Sequence, residues 1–96
     1  MPTYITMLKW TANGIQNIKG SPARLDQART QFASMGVTLK DVYLTMGRQD
    51  LICILEAPDS QTIAKAVLGL ATAGSVTSET VAAFTENEYR SIIGAL

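Results

Sequence analysis

The 96-residue chain contains no histidine. It therefore lacks the commonest general base, the commonest ligand of transition metals and the usual proximal ligand of haem. A catalytic triad that relies on histidine is excluded, and only a Cys–carboxylate or Tyr–Lys pair stays open for nucleophilic chemistry. A metal ion would need carboxylate ligands alone, and the spacing of the carboxylates does not indicate a site. We expect no metal and no other cofactor.

Charge of either sign is also scarce. The chain carries eight basic and eight acidic residues, and charged residues make up 17% of it. Because no basic field is available to hold a phosphate backbone, we do not expect a nucleic acid as a partner. The hydrophobic share of 47% fits a globular domain, and in so small a body it favours self-association, which hides apolar surface.

A single cysteine and the absence of long apolar runs bear on the compartment. Cys53 has no partner for an internal disulfide, which favours a reducing compartment, and its run LICILE is typical of a buried thiol. No charged-then-apolar leader is seen at Met1–Lys9, and no apolar stretch approaches the thickness of a bilayer. We expect a cytoplasmic protein without a membrane partner, folded as a single domain over residues 1–96.

Hydrophobic periodicity predicts four strands and three helices. The predicted strands are Thr3–Trp10, Leu39–Met46, Leu51–Ala57 and Val76–Phe84. The predicted helix signals are a Ser21 cap followed by Pro22, a Gly36 stop, an Asp59 or Ser60 cap, a stop near Gly74, and a capping box of Thr85 and Glu88. Residues 11–20, between the first strand and the first helix, are predicted to form a loop.

The predicted order is strand, helix, strand, strand, helix, strand and a terminal helix. This is the ferredoxin-like βαββαβ plan of the α+β class, an antiparallel four-stranded sheet with two helices on one face. Because crossover connections are right-handed, few other arrangements remain.

The hairpin between Asp41 and Asp59 is the most informative segment. Its second strand, Leu51–Ala57, is apolar on both sides, so both sheet faces need cover, while two helices cover only one. Burial of roughly 400 Å² per subunit would contribute about 10 kcal/mol before the costs of association. We expect a homodimer or higher homo-oligomer in which two sheets pack face to face as a shared α/β barrel. The alternative is that the terminal helix, with Ile92, Ile93 and Leu96, covers the second face of its own chain.

Five residues are candidates for a small-molecule site: Trp10, Arg24, Tyr43, Asp50 and Glu56. Desolvation at the end of the dry strand would raise the pKa of Glu56 and suit it to act as an acid or base; the alternative is a solvated or ion-paired carboxylate. Arg24 is unfavourable in the first turn of a helix, which indicates compensation by a carboxylate such as Glu56 or by an anionic ligand. Trp10 and Tyr43 either wall the pocket or complete a core or an interface. Asp50 follows the hairpin turn, where it can accept backbone amides.

The chain resembles the GYD-domain family over nearly its whole length. The resemblance rests on three segments: YITMLKWTANGIQNIKGSPARLDQAR, DVYLTMGRQDLICILEAPD and SVTSETVAAFTENEY. Gly47 and Asp50 stand at the family's glycine and aspartate, while Gln49 occupies the position of the tyrosine. The resemblance implies a ferredoxin-like or dimeric α/β-barrel fold and an oligomer, and it implies no particular activity.

Two functions remain open from the sequence. One is a non-catalytic homo-oligomeric module for small-molecule binding or assembly, built on the packing of sheet against sheet. The other is a cofactor-free enzyme that acts on a small apolar or aromatic metabolite, with Glu56 as acid or base and Arg24 holding an anionic group. The missing histidine and the two-sided hairpin favour the first.

Overall fold

Four strands form an antiparallel sheet in the computed structural model, which describes residues 1–96. The strands are β1 (Thr3–Trp10), β2 (Thr38–Leu44), β3 (Leu51–Glu56) and β4 (Val76–Ala83). Their order across the sheet is β2-β3-β1-β4, so β3 and β1 are central, while β2 and β4 are edges that do not pair with one another. The sheet is therefore open. This is the predicted ferredoxin-like α+β arrangement.

Four α-helices connect or follow the strands: α1 (Ala12–Gln16), α2 (Ser21–Ser34), α3 (Ser60–Ala71) and α4 (Glu86–Gly94). The helix α2 packs on β2 and α3 packs on β4. Both helices contribute to one hydrophobic core on the same side of the sheet. None of the helices is long and apolar enough to cross a membrane.

The side chains of the two central strands alternate between the two faces of the sheet. The side that we call the helix face carries the buried residues Tyr4, Thr6, Leu8, Cys53 and Leu55. These pack with Phe32 of α2 and with Ile63 and Val67 of α3. The opposite side, the open face, carries the intervening residues Ile5, Met7, Ile52 and Ile54. β3, the strand predicted to be apolar on both sides, has apolar side chains on both faces of the sheet. The helices cover only one of these faces.

Most of the predicted helix ends are confirmed, with the Ser21 cap as the exception. Gly36 and Gly74 have φ angles of 81° and 82°, in the left-handed region that favours glycine after a helix. Asp59 caps α3, because its Oδ1 accepts the Thr62 backbone amide at 2.8 Å. Hydrogen bonds from the side chain of Thr62 and from its backbone amide lower the pKa of the Asp59 carboxyl. Thr85 and Glu88 form the predicted capping box at the start of α4.

The prediction of a loop at residues 11–20 was wrong. The segment forms α1 and a 3-10 turn at Ile18–Gly20. Thr11 caps α1: its Oγ1 accepts from the Gly14 amide at 3.1 Å and donates to the Gly74 carbonyl at 2.6 Å. The asparagine-glycine pair in this segment suggested a turn, but the glycine lies where its missing Cβ lets the helix approach the Ser75 carbonyl. A contact with a distant part of the chain thus decides the local structure.

The first residue of α2 is Ser21, which was predicted to be its cap. The cap is Gly20, whose φ of −84° and ψ of −2° are helical, so no side chain caps the helix. The reason is that the 3-10 turn runs directly into α2 and removes the extended residue that a serine cap requires. Pro22, predicted at the first helical position, is the second residue of α2 and lies in its first turn.

A bulge in β2 was not indicated by the sequence pattern. Lys40 is the extra residue, because the register of the β2–β3 ladder shifts between Leu39 and Asp41. Leu39 and Val42 therefore both contact the core under the helices, although an unbroken strand would place them on opposite sides. β2 also begins one residue earlier and ends two residues earlier than predicted, and β3 and β4 each end one residue early.

Replacement of Gly14 by alanine is expected to destabilise the protein. A Cβ at this position would lie 2.1 Å from the Ser75 carbonyl oxygen, a backbone atom that also accepts the Thr11 amide. We expect the free energy of unfolding to fall by about 1–3 kcal/mol, as at other overpacked sites, in urea denaturation.

Gly69 supplies the matched control, because it lies inside α3 and a Cβ there would meet nothing within 4 Å. Gly69→Ala is expected to leave the stability unchanged or to raise it by up to about 1 kcal/mol. Equal effects of the two substitutions would contradict a close contact specific to Gly14.

Candidate functional site

A cavity of about 170 Å³ lies between the helix face of the sheet and helices α2 and α3. Its walls are mainly apolar and include Leu8, Phe32, Leu55 and Leu70. Trp10, the last residue of β1, also lines it. Apolar cavities of about 150 Å³ are known to hold a benzene-sized molecule. The cavity is therefore the candidate site for a small molecule.

Arg24 is the single charged residue that lines the cavity. Its Nη1 donates to the Asn17 carbonyl at 2.8 Å, while its Nη2 is the one buried side-chain nitrogen or oxygen of the chain without a hydrogen-bond partner. The predicted ion pair between Arg24 and Glu56 is absent. The one salt bridge of the structure joins Arg90 to Glu86 within α4. The expectation that an internal carboxylate compensates the charge of Arg24 was therefore wrong. A backbone carbonyl holds one end of the guanidinium, and the other end has no partner.

The aromatic wall expected from Trp10 and Tyr43 is not assembled. Trp10 lines the cavity under the helices, whereas Tyr43 lies on the open face and is 58% exposed. Glu56 lies on the open face too, opposite Thr3 in the register of β1 and β3. The cause is the two-residue alternation along the strands, which sends these side chains away from the helices. The structure brings Trp10 and Arg24 to one cavity and leaves Tyr43 and Glu56 outside it.

Asp50 organises the end of the hairpin. Its Oδ2 accepts the Trp10 amide at 2.9 Å, and its own amide donates to the Leu8 carbonyl at 2.9 Å. The carboxylate accepts a backbone amide, as predicted, but this amide belongs to β1 and not to the turn. Thr45 closes the turn, with its amide on the Asp50 carbonyl at 2.8 Å and its hydroxyl on the Gln49 carbonyl at 2.7 Å. The hairpin therefore holds the end of β1, and with it Trp10, in place.

Cys53 lines the cavity from β3 and is buried. Burial raises the pKa of the thiol from 9.0 to about 11, and the Arg29 guanidinium opposes this shift. Arg29 reaches the sheet from α2, where its Nη1 donates to the Leu39 carbonyl at 2.8 Å. The thiol is protonated at neutral pH and is not an activated nucleophile. No group of three Cys, Asp or Glu side chains is placed to hold a metal ion.

Most of the cavity wall was missed in the sequence. Phe32 and Cys53 have the pattern of ordinary core residues, and spacing alone does not separate a core from the lining of a cavity. One signal was available on α2. Arg24, Gln27 and Gln31 follow at helical spacing, so they form one polar row beside the apolar stripe, and all three line the cavity.

The open face carries a contiguous apolar block. Two rows of side chains cross the four strands there: Tyr43–Ile52–Met7–Glu79 and Asp41–Ile54–Ile5–Val81. Each row is apolar along most of its length and ends in one acid, and the two acids stand at opposite corners. We call these two rows the apolar block.

The terminal helix α4 does not cover this block. None of its residues is buried, and Tyr89, Ile92 and Ile93 are 57%, 46% and 51% exposed. The helix makes no extensive contact with any other helix or strand. The alternative in which the terminal helix covers the second face of its own sheet is therefore not the arrangement found.

Comparison with known proteins places the chain in a family. The family model of the GYD domain matches residues 4–93. The chain belongs to the GYD domain family. A relative from Thermus thermophilus, named glutamine synthetase and cystathionine beta-lyase binding protein, is 32% identical over 84 residues, which cover 86% of this chain and 88% of the relative.

Solved structures resemble this GYD protein in fold. MtbAldR matches with a TM-score of 0.69 at 15% identity over 88% of this chain, which spans about half of that protein, 52%. FFRP-DM1 matches with a TM-score of 0.61 at 15% identity, covering 88% of this chain and 100% of that one. TTHA0845 from Thermus thermophilus matches at 0.57 with 20% identity, covering 88% and 95%. At these identities the likeness shows the fold alone.

Gln49 takes part in the hairpin turn through its backbone. Its carbonyl accepts the Thr45 hydroxyl at 2.7 Å, a contact that does not involve the side chain of residue 49. The neighbouring Asp50 contributes its carboxylate to the Trp10 amide. The hydrogen bonds of this turn thus involve the Asp50 carboxylate and backbone carbonyls, and no aromatic ring.

Asp50→Ala is expected to lower the free energy of unfolding by about 1–3 kcal/mol, because the Trp10 amide loses its acceptor. Asp50→Asn retains a side-chain oxygen of similar size and is expected to lose less. Urea denaturation followed by the fluorescence of Trp10, the single tryptophan of the chain, measures both. If Asp50→Ala matched the wild type in stability, the proposed anchoring of β1 would be wrong.

Stability is expected to fall at high pH in a way that depends on Cys53. Because the thiol has a pKa of about 11 in the folded protein against an ordinary 9.0, the unfolded chain loses this proton first. The contribution is fully present below pH 9 and is lost as the pH rises to about 11, by at most about 3 kcal/mol. Lysines and tyrosines also titrate in this range, so the measured quantity is the difference between the wild type and Cys53→Ala. A parallel decline of the two proteins would contradict the assignment.

Proposed function

We propose that this GYD protein is a non-catalytic interaction module that forms a homodimer through the open face of its sheet. The observation that supports this most directly is the apolar block, which no helix of the chain covers. Monomeric proteins rarely expose contiguous apolar patches larger than a few hundred Å². A second copy, packed sheet against sheet, removes both blocks from water and joins the two open sheets into a shared α/β barrel.

The placement of charge on the open face suits a second copy. Asp41 ends one row of the block on β2, and Glu79 ends the other row on β4. A two-fold axis that lies in the plane of the interface, passes through the middle of the block and runs parallel to the strands or to the rows sets neither acid over its own copy. Each acid then faces the apolar or aromatic end of a row, at the rim of the interface. Like charges that would oppose self-association stay apart.

The terminal helix enlarges the surface available to the second copy. Burial of roughly 400 Å² of the block per subunit contributes about 10 kcal/mol, which is similar in size to the costs of association. Standard stable interfaces bury about 800 Å² on each partner. The apolar side of α4, with Tyr89, Ile92 and Ile93, supplies further area. Because a helix of nine residues is marginal by itself, packing against a second copy also stabilises it.

Binding of other proteins is the second part of the proposal. The Thermus thermophilus relative is named for binding two enzymes. We extend only the class of that function to this chain: the dimer binds other proteins with the surface that dimerisation leaves free. Such a role requires no catalytic group. The enzyme alternative requires Glu56 and Arg24 in one site, but Arg24 lines the cavity under the helices and Glu56 lies on the open face.

The mass of the protein in solution tests the dimer. Size-exclusion chromatography with light scattering at micromolar concentration is expected to give about twice the single-chain mass of 10.3 kDa. Ile54→Lys places a charge in the middle of the block and is expected to give a folded monomer with an unchanged far-UV circular dichroism spectrum. Val81→Lys repeats the test at a second position of the block. Because Val81 is 41% exposed in the single chain, a lysine there would be solvated in the monomer and buried only in the dimer.

Leu68→Lys is the matched control. Leu68 is 65% exposed on α3, within the helix layer and away from the open face. This variant is expected to remain a dimer. A monomeric wild type, or a dimer that survives both Ile54→Lys and Val81→Lys, would overturn the proposed interface.

A further inference from the structure

We propose that the cavity under the helices binds a small organic acid, whose carboxylate pairs with Arg24 and whose apolar body fills the space beside Trp10. This site lies on the helix side of the sheet, opposite the apolar block, and so goes beyond the interaction role. The occupant is a monocarboxylate with one ring or a short chain. The size of the cavity, its charge and the unpaired end of one guanidinium support this assignment.

The size of the cavity sets the size of the ligand. A volume of about 170 Å³ is comparable with the roughly 150 Å³ of an apolar cavity that takes up benzene. The lining is mostly apolar, with Leu8, Phe32 and Leu55 against the sheet and α2. An apolar ring or chain in this space gains free energy from leaving water. The cavity is too small for a nucleotide or another extended cofactor.

The unpaired nitrogen of Arg24 sets the charge of the ligand. Nη1 is held by the Asn17 carbonyl at 2.8 Å, and Nη2 is buried without a partner. A buried donor of a charged group that lacks an acceptor is costly, so native proteins leave few of them. A carboxylate oxygen satisfies this nitrogen with a charge-assisted hydrogen bond, which is stronger than a bond between neutral groups.

The remaining lining favours an anion as well. No aspartate or glutamate lines the cavity, so Arg24 is its only formal charge. Asp50 is nearby in the fold, but its carboxylate is bonded to the Trp10 amide at 2.9 Å. Gln27 and Gln31 add amide groups along the same row of α2 as Arg24. An anion beside the first turn of α2 also interacts favourably with the helix dipole, which a lone arginine there does not.

Benzoate and benzamide form the probe pair, because they share a ring and differ in charge. Binding is followed by the fluorescence of Trp10, which lines the cavity and is the single tryptophan, and by calorimetry. Benzoate is expected to bind with a dissociation constant of about 1 mM or below and about tenfold more tightly than benzamide. Acetate, which has the charge without the ring, is expected to bind more weakly than benzoate.

Two arginine variants test whether Arg24 itself, and not the overall positive charge of the protein, binds the carboxylate. Arg24→Gln is expected to weaken benzoate about tenfold or more and to leave benzamide unchanged. Arg29→Gln is the matched control on the same helix, since Arg29 bonds the Leu39 carbonyl and does not line the cavity. It is expected to bind both probes like the wild type.

A filling variant keeps the test valid if Arg24→Gln fails to fold. Ala28 is buried and lines the cavity, so Ala28→Leu is expected to abolish benzoate binding with Arg24 intact. Equal binding of benzoate and benzamide by the wild type, no benzoate binding at about 10 mM, or equal losses in the Arg24 and Arg29 variants would each overturn the proposal. The proposed dimer is tested separately by light scattering, because no residue of the apolar block lines this cavity.

Discussion

The apolar character of β3 on both of its sides is the constraint on which the rest of the structure depends. One side of this strand is buried under α2 and α3, where Cys53 and Leu55 are 4% and 1% exposed. The chain has helices for one layer only, and its Cα atoms extend 49 × 31 × 17 Å, the shape of a slab two layers thick. A third layer would have to come from outside the chain. The proposed self-association follows from how many apolar faces a short chain can cover.

The same alternation sorts the chemical groups of the protein. Side chains two residues apart share a face, so Tyr43 and Glu56 point to the open face, while Trp10 lies toward the helices with Leu8. The residues predicted to form one site are therefore divided between the open face and the cavity. A catalytic site that needs Glu56 and Arg24 together cannot form in this topology. The proposed binding functions do not need these groups in one place. The open face carries the apolar block, and the helix side carries the cavity lined by Trp10 and Arg24.

Much of the fold was predictable because its signals are local. The glycine stops at Gly36 and Gly74 and the capping box of Thr85 and Glu88 follow from hydrogen bonds and backbone angles within a few residues. The limits of β1 follow from its alternating apolar pattern. What could not be predicted depends on contacts between distant segments, which leave no periodic pattern in the sequence. The bulge at Lys40 and the helix α1 belong to this class. So does the cavity, since its lining residues have the spacing of a core.

The segment between β1 and α2 fixes the position of Arg24 at the polar end of the cavity. Gly14 brings α1 against the Ser75 carbonyl, and the 3-10 turn that follows runs into α2 without a break. This path sets the Asn17 carbonyl 2.8 Å from Nη1 of Arg24. The arginine therefore loses its side-chain freedom when the protein folds and not when an anion arrives. An acid that reaches Nη2 meets a donor already ordered by backbone atoms, so little of its binding free energy is spent on ordering the site.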